Sequence, residues 1–140
     1  MTQNSRRQSR TIKLGTVAVG GTAPITVQTM TKTDTRNVEA TSAEIRRLRL
    51  AGCDIIRLAV PDLEAATALK TICSQSQIPV IADIHFDHQL ALAAIKNGVH
   101  GLRLNPGNIR SEEKVREVAA AALDKGIPIR VGVNAGSLDP

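Results

Sequence analysis

Aromatic side chains are almost absent from this sequence, which has one phenylalanine, Phe86, and neither tryptophan nor tyrosine among 140 residues. Proteins that bind single-stranded nucleic acid stack the bases on aromatic rings, so this composition argues against that class. The interior has to be filled instead by Val, Ile, Leu and Ala. Those side chains are typical of parallel strands covered by helices.

Long apolar runs and paired cysteines are also missing. No stretch approaches the roughly 18 apolar residues that a membrane span needs, and no signal-peptide core precedes the first polar block. We therefore expect a cytoplasmic protein without a membrane partner. The two cysteines, Cys53 and Cys73, form no C-x-x-C pair and have apolar neighbours. We expect them to pack in the core of a protein from a reducing compartment, and they are poor candidates for cluster ligands.

Acidic residues are missing from the first 13 positions, where four basic residues supply most of the net charge of +5. The remainder of the chain is nearly neutral, so the basic pI does not imply a basic surface over the whole fold. A nucleic-acid-binding arm and a targeting leader are the alternatives for this segment. We interpret residues 1–10 as a disordered, solvated basic tail and expect no nucleic-acid partner.

Apolar segments of strand length recur at fairly even intervals and alternate with Ala-rich segments of helical periodicity. Upstream of them, Thr11–Gly21 alternates around Gly15 and predicts a short hairpin or a lid strand. Ser111 is suited to begin a helix, and a glycine closes three of the helices. The predicted strands are 25–30, 55–60, 79–84, 101–105 and 128–133, the predicted helices are 38–51, 63–74, 89–97 and 112–125, and the closing glycines are Gly52, Gly98 and Gly126.

This alternation of strands and helices predicts an α/β fold with a parallel sheet and right-handed crossovers. A complete TIM-type (β/α)₈ barrel takes about 250 residues, so this chain would supply the first five strands. Residues 134–140 have the composition of a loop, and no helix follows to cover the fifth strand of an open sheet. We therefore predict that residues 11–140 form the N-terminal part of a barrel with an exposed edge strand.

Three of the predicted strands carry an arginine between aliphatic residues: Arg57, Arg103 and Arg130. A buried guanidinium needs a partner, because an unpaired buried charge is costly. The carboxyl ends of parallel barrel strands form the active-site face, and guanidinium groups match phosphate oxygens. Three convergent arginines therefore favour a substrate with more than one phosphate. The alternative is internal ion pairing, for instance with Asp83 or Asp54.

The third predicted strand ends with Asp83 and His85, which alternation places on the same side of the sheet. These residue types could ligate a metal, or contact a substrate with His85 transferring a proton. They could also form a structural cap in which Asp83 orients an arginine. A metal is the least favoured reading, because the sequence has no further His-rich cluster.

Polar loops follow the fourth and fifth predicted strands, at 105–108 and 134–137. Each combines asparagine with glycine, which lets the backbone approach a polar ligand and present N–H groups to an anion. Asparagine and glycine are also ordinary turn residues, so the loops gain weight only from their position beside Arg103 and Arg130. The P-loop, the dinucleotide-binding glycine motif and the nucleophile elbow are all missing, which excludes the classes that they define.

Taken together, these segments strongly resemble the 4-hydroxy-3-methylbut-2-enyl diphosphate synthase family. The resemblance runs in order from about Arg10 to the end of the chain. Its blocks are 27–31, 34–36, 51–61, 82–87, 101–108 and 130–138.

The resemblance implies an iron–sulfur oxidoreductase of the non-mevalonate isoprenoid pathway. Its barrel binds 2-C-methyl-D-erythritol 2,4-cyclodiphosphate, and a C-terminal domain with a [4Fe-4S] cluster closes over the barrel of a dimer partner. Ferredoxin or flavodoxin would supply two electrons for reductive ring opening. The substrate contacts that it implies are Thr31, Arg57, Asp83, His85, Arg103, Asn105, Arg130 and Asn134, with Thr31 at the rim of the site.

The cluster ligands of the family match no residue in this chain. We therefore expect no metal site here, no reductase activity from these 140 residues alone, and at most weak substrate binding. One rival is another phosphate-binding barrel enzyme, such as a pterin-type synthase, which shares strand-end Arg, Asp and Asn. A second rival is a receiver-type regulatory module. It would need an acidic cluster after the first strand, where the sequence has residues 28–30, Gln-Thr-Met.

Overall fold

The computed structural model describes residues 7–85, 87–105, 108, 109 and 111–133. Within them, two strands form an antiparallel hairpin and five form a parallel sheet in chain order, with a helix in each connection of that sheet. The hairpin strands are β1 (Ile12–Leu14) and β2 (Val17–Val19), the sheet strands are β3 (Gln28–Met30), β4 (Ile55–Ala59), β5 (Val80–Ile84), β6 (Gly101–Leu104) and β7 (Ile129–Val131), and the helices are α1 (Val38–Leu50), α2 (Leu63–Gln75), α3 (His88–Lys96) and α4 (Glu112–Lys125).

Side chains and glycines fix the helix ends where the sequence indicates them. Ser111 accepts a hydrogen bond from the backbone N–H of Lys114 at the start of α4, and Gly126 ends that helix with a left-handed φ of 64°. The predicted bounds of α4 are confirmed, and those of α1 to α3 differ by a single residue at one or both ends. Gly52 and Gly98 also have positive φ values, 96° and 88°, directly after α1 and α3.

The strands are shorter than predicted, and β3 and β7 differ most, each by three residues. Strand β3 begins at Gln28 instead of residue 25, since Ile25 and Val27 are 74% and 55% exposed. The backbone N–H of Val27 donates to the carboxylate of Asp54 at 2.8 Å, so it is not available to a neighbouring strand. An apolar residue favours a strand, but it does not show where pairing begins.

Alternation along the strands separates an aliphatic layer from a polar one. Ile56 and Leu58 of β4 are completely buried, in the same core cluster as residues of α2 and α3. Arg57 lies between them in the chain and therefore projects to the opposite face. The hydrophobic core thus fills the space between sheet and helices, while the other face of the sheet is free to carry charged groups.

The N-terminal hairpin packs beneath the sheet, at the amino ends of its strands. Leu14 is buried in a small cluster with Ile55 and Ile81, and the turn at Gly15 lies against Pro79 and His100. The predicted hairpin is therefore confirmed. The alternative of a lid strand is wrong, because the hairpin closes the end of the sheet opposite to the one where loops lead into the helices.

The two edges of the parallel sheet, β3 and β7, have no neighbouring strand among the described residues. Val131 on β7 is 67% exposed. The sequence-based expectation of an exposed edge is therefore confirmed. None of the four helices that the structure describes has the length and hydrophobicity needed to cross a bilayer.

Replacing Leu14 by Ala should lower the free energy of unfolding by about 2–4 kcal/mol, because the side chain is buried between the hairpin and the sheet. The control is Ile12→Ala in the same hairpin, where the side chain is 46% exposed and the loss should be much smaller. Urea unfolding of the two variants measures the difference. Equal losses would show that the hairpin does not pack as described.

Candidate anion-binding site

An open cavity of about 400 Å³ lies on the inner face of the sheet, toward the carboxyl ends of the strands. Asp83, Arg103 and Arg130 occupy one row across β5, β6 and β7, because each is the register partner of the next. Arg57 on β4 is the register partner of Ile81. It therefore lies two residues closer than Asp83 to the end of the sheet that the hairpin covers. The cavity is lined by Met30, Arg57, Asp83, His85, Arg103, Arg130, Gly132 and Val133.

One carboxylate holds two of the three guanidinium groups. Asp83 has a side chain that is only 4% exposed, and its Oδ1 accepts a hydrogen bond of 3.1 Å from Nη1 of Arg103. Its Oδ2 lies 3.4 Å from Nε of Arg57, a charge pair without hydrogen-bond geometry. The buried arginines therefore do have an internal partner, as one of the two sequence-based alternatives requires, but they share it.

The shared carboxylate leaves the cavity positively charged. Three guanidinium groups face one carboxylate, so the cavity carries two net positive charges when His85 is neutral. Arg130 is exposed, and no carboxylate in the described part of the chain lies within ion-pairing distance of it. An anion with two or more charged oxygens would complete the neutralisation.

His85 stands at the entrance of the cavity. Its side chain is 50% exposed, and its Nε2 lies 3.6 Å from Oδ1 of Asp83. The two side chains project to the same face, as alternation along the strand predicts. The imidazole is therefore accessible to a ligand while the buried carboxylate restricts its position.

Five of the eight predicted site residues meet at this cavity: Arg57, Asp83, His85, Arg103 and Arg130. Thr31 and Asn105 are buried and do not line it, being 8% and 3% exposed. The hydroxyl of Thr31 has no hydrogen-bond partner among the described residues. Thr31 thus lies inside the fold instead of at the rim. Its backbone N–H continues the sheet by donating to the carbonyl of Arg57. Asn134 lies outside the described residues.

Three cavity residues were not predicted from the sequence: Met30, Gly132 and Val133. Sδ of Met30 lies 3.7 Å from Nη2 of Arg57, and the carbonyl of Gly132 accepts a hydrogen bond of 3.3 Å from Nη2 of Arg103. Nothing in the sequence distinguishes Met30 from an ordinary core methionine. Gly132 could have been found, since it lies two residues after Arg130 and therefore faces the same side of β7.

A fourth arginine near this end of the sheet is already neutralised. Arg36, in the loop between β3 and α1, forms ion pairs of 2.6 Å with Asp34 and 3.2 Å with Asp62, the N-cap of α2. Asp34 raises the pKa of this guanidinium above its ordinary value, mainly through their hydrogen bonds. Arg36 therefore ties two loops together, in contrast to the arginines of the cavity.

The cysteines do not form part of the site. Both belong to the core between sheet and helices, where Cys53 is buried and Cys73 partly buried. Burial raises the pKa of the Cys73 thiol to about 12, whereas cluster ligation requires thiolates. No group of three or more potential ligands that could hold a metal exists in the described ranges. These residues therefore do not fit an iron–sulfur cluster.

Fold and cavity together define a class of protein: a (β/α) barrel chain with a cationic site at the carboxyl ends of its parallel strands. Residues 9–140 match the model of the GcpE TIM-barrel domain family. The chain belongs to this family, that of the 4-hydroxy-3-methylbut-2-en-1-yl diphosphate synthases.

Curated relatives share more than half of the aligned residues. The chain is 60% identical to the 4-hydroxy-3-methylbut-2-en-1-yl diphosphate synthase (flavodoxin) of Dehalococcoides mccartyi, and 61% identical to the proteins of the same name from Thermodesulfovibrio yellowstonii and Azotobacter vinelandii. These alignments cover 95–96% of this chain but only 36–38% of the relatives. The chain thus spans well under half of their length.

A solved structure of Xanthomonas albilineans dihydropteroate synthase is similar in fold. The superposition has a TM-score of 0.51 and 19% sequence identity, and it covers 74% of this chain and 40% of that one. At this identity the likeness concerns the barrel architecture alone.

Replacing Asp83 by Asn should destabilise the chain by roughly 3 kcal/mol, because Arg57 and Arg103 would lose their shared counter-charge. The control is Asp124→Asn on the surface, where the carboxylate is 79% exposed and pairs only with Lys125 at 3.9 Å among the described residues. Its effect should stay within about 0.5 kcal/mol. Chemical denaturation compares the two, and a similar small loss for both would contradict the shared-carboxylate arrangement.

Native Cys73 should resist alkylation by iodoacetamide near neutral pH, because its thiol, with a pKa raised to about 12, supplies almost no thiolate. Cys53 should resist it because the side chain is buried in the core. Both should react readily in concentrated urea. Ser74→Cys, at an exposed position next to Cys73 on α2, is the positive control for reagent access. Mass spectrometry counts the labels, and rapid labelling of native Cys73 would place it outside the core.

Proposed function

We propose that this chain is the substrate-binding, N-terminal part of a 4-hydroxy-3-methylbut-2-enyl diphosphate synthase. The enzyme would convert 2-C-methyl-D-erythritol 2,4-cyclodiphosphate to 4-hydroxy-3-methylbut-2-enyl diphosphate by two-electron reductive ring opening in isoprenoid biosynthesis. Curated relatives with this enzyme name, 54–61% identical to the chain, support the proposal. We place the enzyme in the cytoplasm.

The observation that carries the proposal is the charge imbalance of the cavity. Arg57 and Arg103 share Asp83, and Arg130 has no counter-charge among the described residues. A cyclic diphosphate brings two linked phosphates with separate anionic oxygens, which suits guanidinium groups on three successive strands. A substrate with a single carboxylate would leave part of this charge unused.

The described residues have a binding and electrostatic role in this proposal. When the bond between carbon and phosphate oxygen breaks, negative charge grows on the departing oxygen. Arginines fixed nearby would stabilise that charge without having to reorganise. His85, half exposed beside Asp83, is placed to donate a hydrogen bond to the substrate or to transfer a proton. Asn105 and Asn134 are further proposed polar contacts, and Thr31 remains a proposed contact despite its burial.

The reducing chemistry would come from outside this chain. The described residues offer no ligand set for the [4Fe-4S] cluster of the proposed enzyme, so we assign the cluster to the remainder of the full-length protein. A full-length homodimer and flavodoxin as electron donor complete the proposal, with ferredoxin as the other candidate donor. The names of the relatives specify flavodoxin.

A pterin-type synthase is the second reading of the cavity, and it is not favoured. The solved dihydropteroate synthase is only 19% identical over the shared fold, whereas the diphosphate synthases are 54–61% identical across almost the whole chain. The fold is therefore compatible with both hypotheses, whereas the sequence identity favours a diphosphate synthase.

The proposal is tested by titrating the purified chain with the cyclodiphosphate in a calorimeter. We expect weak binding that inorganic diphosphate displaces and that added salt weakens. Arg130→Ala should lower the affinity roughly tenfold, the loss of about one charge-assisted contact, without changing the circular dichroism spectrum. Reduced flavodoxin should give no turnover with this chain alone.

Arg116→Ala is the matched control, because Arg116 is a surface arginine of α4 whose side chain is 79% exposed and pairs with Glu112. Its affinity should equal that of the unchanged chain. No detectable binding at millimolar cyclodiphosphate, or equal losses for the two arginine variants, would overturn the proposed function.

A further inference from the structure

The guanidinium of Arg103 lies directly over the backbone of Gly132. A Cβ atom at position 132 would come within 2.5 Å of Nε, 3.1 Å of Nη2 and 3.2 Å of Cζ of Arg103. Real Cβ atoms essentially never lie within 3.0 Å of a heavy atom outside their own and the adjacent residues. The guanidinium of Arg103 therefore occupies the space that a side chain at position 132 would need.

The backbone gives no reason for glycine at this position. Among the described glycines, those with positive φ lie in turns and after helices, and Gly132 is not one of them. Its N–H donates to the carbonyl of Leu104 at 2.9 Å, which extends the pairing of β6 and β7 by one residue. Its φ therefore does not require glycine. The three heavy atoms nearest to a Cβ at this position all belong to Arg103.

Arg103 is held from both sides by groups on different strands. Nη1 donates to Asp83 on β5 at 3.1 Å, and Nη2 donates to the carbonyl of Gly132 after β7 at 3.3 Å. The side chain is 10% exposed as a result. Because separate acceptors hold the two terminal nitrogens, rotation of the guanidinium about its Nε–Cζ bond is hindered.

We propose that Gly132 is a positioning residue for anion recognition, because its missing side chain and its carbonyl together fix the guanidinium of Arg103. The statement that Gly132 affects anion binding rests on the proposed function. The statement that Gly132 fixes the position of the Arg103 guanidinium does not. A methyl group at position 132 displaces the guanidinium, and the displacement breaks the hydrogen bond to Asp83 or separates β7 from β6.

Gly132→Ala is the test variant, and Gly101→Ala is its matched control. Gly101 lies on the inner face of β6, and a Cβ there would make ordinary contacts of 3.4 Å with the carbonyl of Pro128 and 3.5 Å with Leu14. Gly132→Ala should weaken cyclodiphosphate binding roughly tenfold, equivalent to about 1.4 kcal/mol. Gly101→Ala should leave the affinity unchanged.

A double-mutant cycle with Arg103→Ala separates positioning from general damage. With the guanidinium removed, alanine at position 132 has space, so Gly132→Ala should cost neither further affinity nor further stability in that background. This comparison also decides the case if the single variant folds poorly, because Arg103→Ala should then restore its folding. Equal losses in both backgrounds would overturn the proposal.

A readout without ligand distinguishes failure of this inference from failure of the proposed function. In the unchanged chain, NMR should show separate Nη1 and Nη2 resonances for Arg103, assigned by their loss in Arg103→Lys. Gly132→Ala should merge them and Gly101→Ala should not. If the unchanged chain fails to bind the cyclodiphosphate, the proposed function is wrong and this measurement still decides the inference. Separate resonances in Gly132→Ala would overturn it.

Discussion

The carboxylate of Asp83 is the interaction on which the site depends. Without it, the guanidinium groups of Arg57 and Arg103 would be largely buried with no counter-charge, a state that costs several kcal/mol. With one carboxylate for each arginine, the cavity would be neutral and would have little attraction for an anion. A single shared carboxylate satisfies both requirements, because it fixes the arginines in place and leaves positive charge for a ligand.

The rest of the fold keeps this charged face apart from the apolar layers. Core side chains of the strands point to the helices, and the hairpin covers the amino ends of the sheet with Leu14. His100 contributes to that closed end by accepting a hydrogen bond from the backbone of Val80 at Nδ1. Burial lowers the pKa of His100 and so favours the neutral imidazole, the form that can accept this bond. The charged groups are consequently concentrated at the opposite end.

The ends of the helices were predicted more accurately than the ends of the strands. The face to which a strand residue projects was predicted more accurately than its contacts with neighbouring strands. The start of α4 could be recognised from Ser111 and its end from Gly126, whereas the exposed Ile25 and Val27 led to a β3 that was too long. Alternation placed Asp83 and His85 on one face, but the pairing of Asp83 with Arg103 depends on the register of two strands, which no local pattern contains. Thr31 was predicted at the rim because a resemblance indicates which residue matches the family and not how deeply that residue is buried. The proposed function came from the resemblance, whereas physical reasoning alone predicted a site for a polyanion.

The three arginines differ in freedom across the sheet, and the difference suits a ligand with two linked phosphates. Arg57 and Arg103 are partly or fully buried and held by Asp83, so an anion that binds them does not have to immobilise long side chains. Arg130, on the edge strand, is exposed and has no described counter-charge, so it pays the ordering cost itself but can follow the position of the ligand. In the proposed complex, the fixed pair would set the place of one phosphate, and Arg130 would adapt to the second.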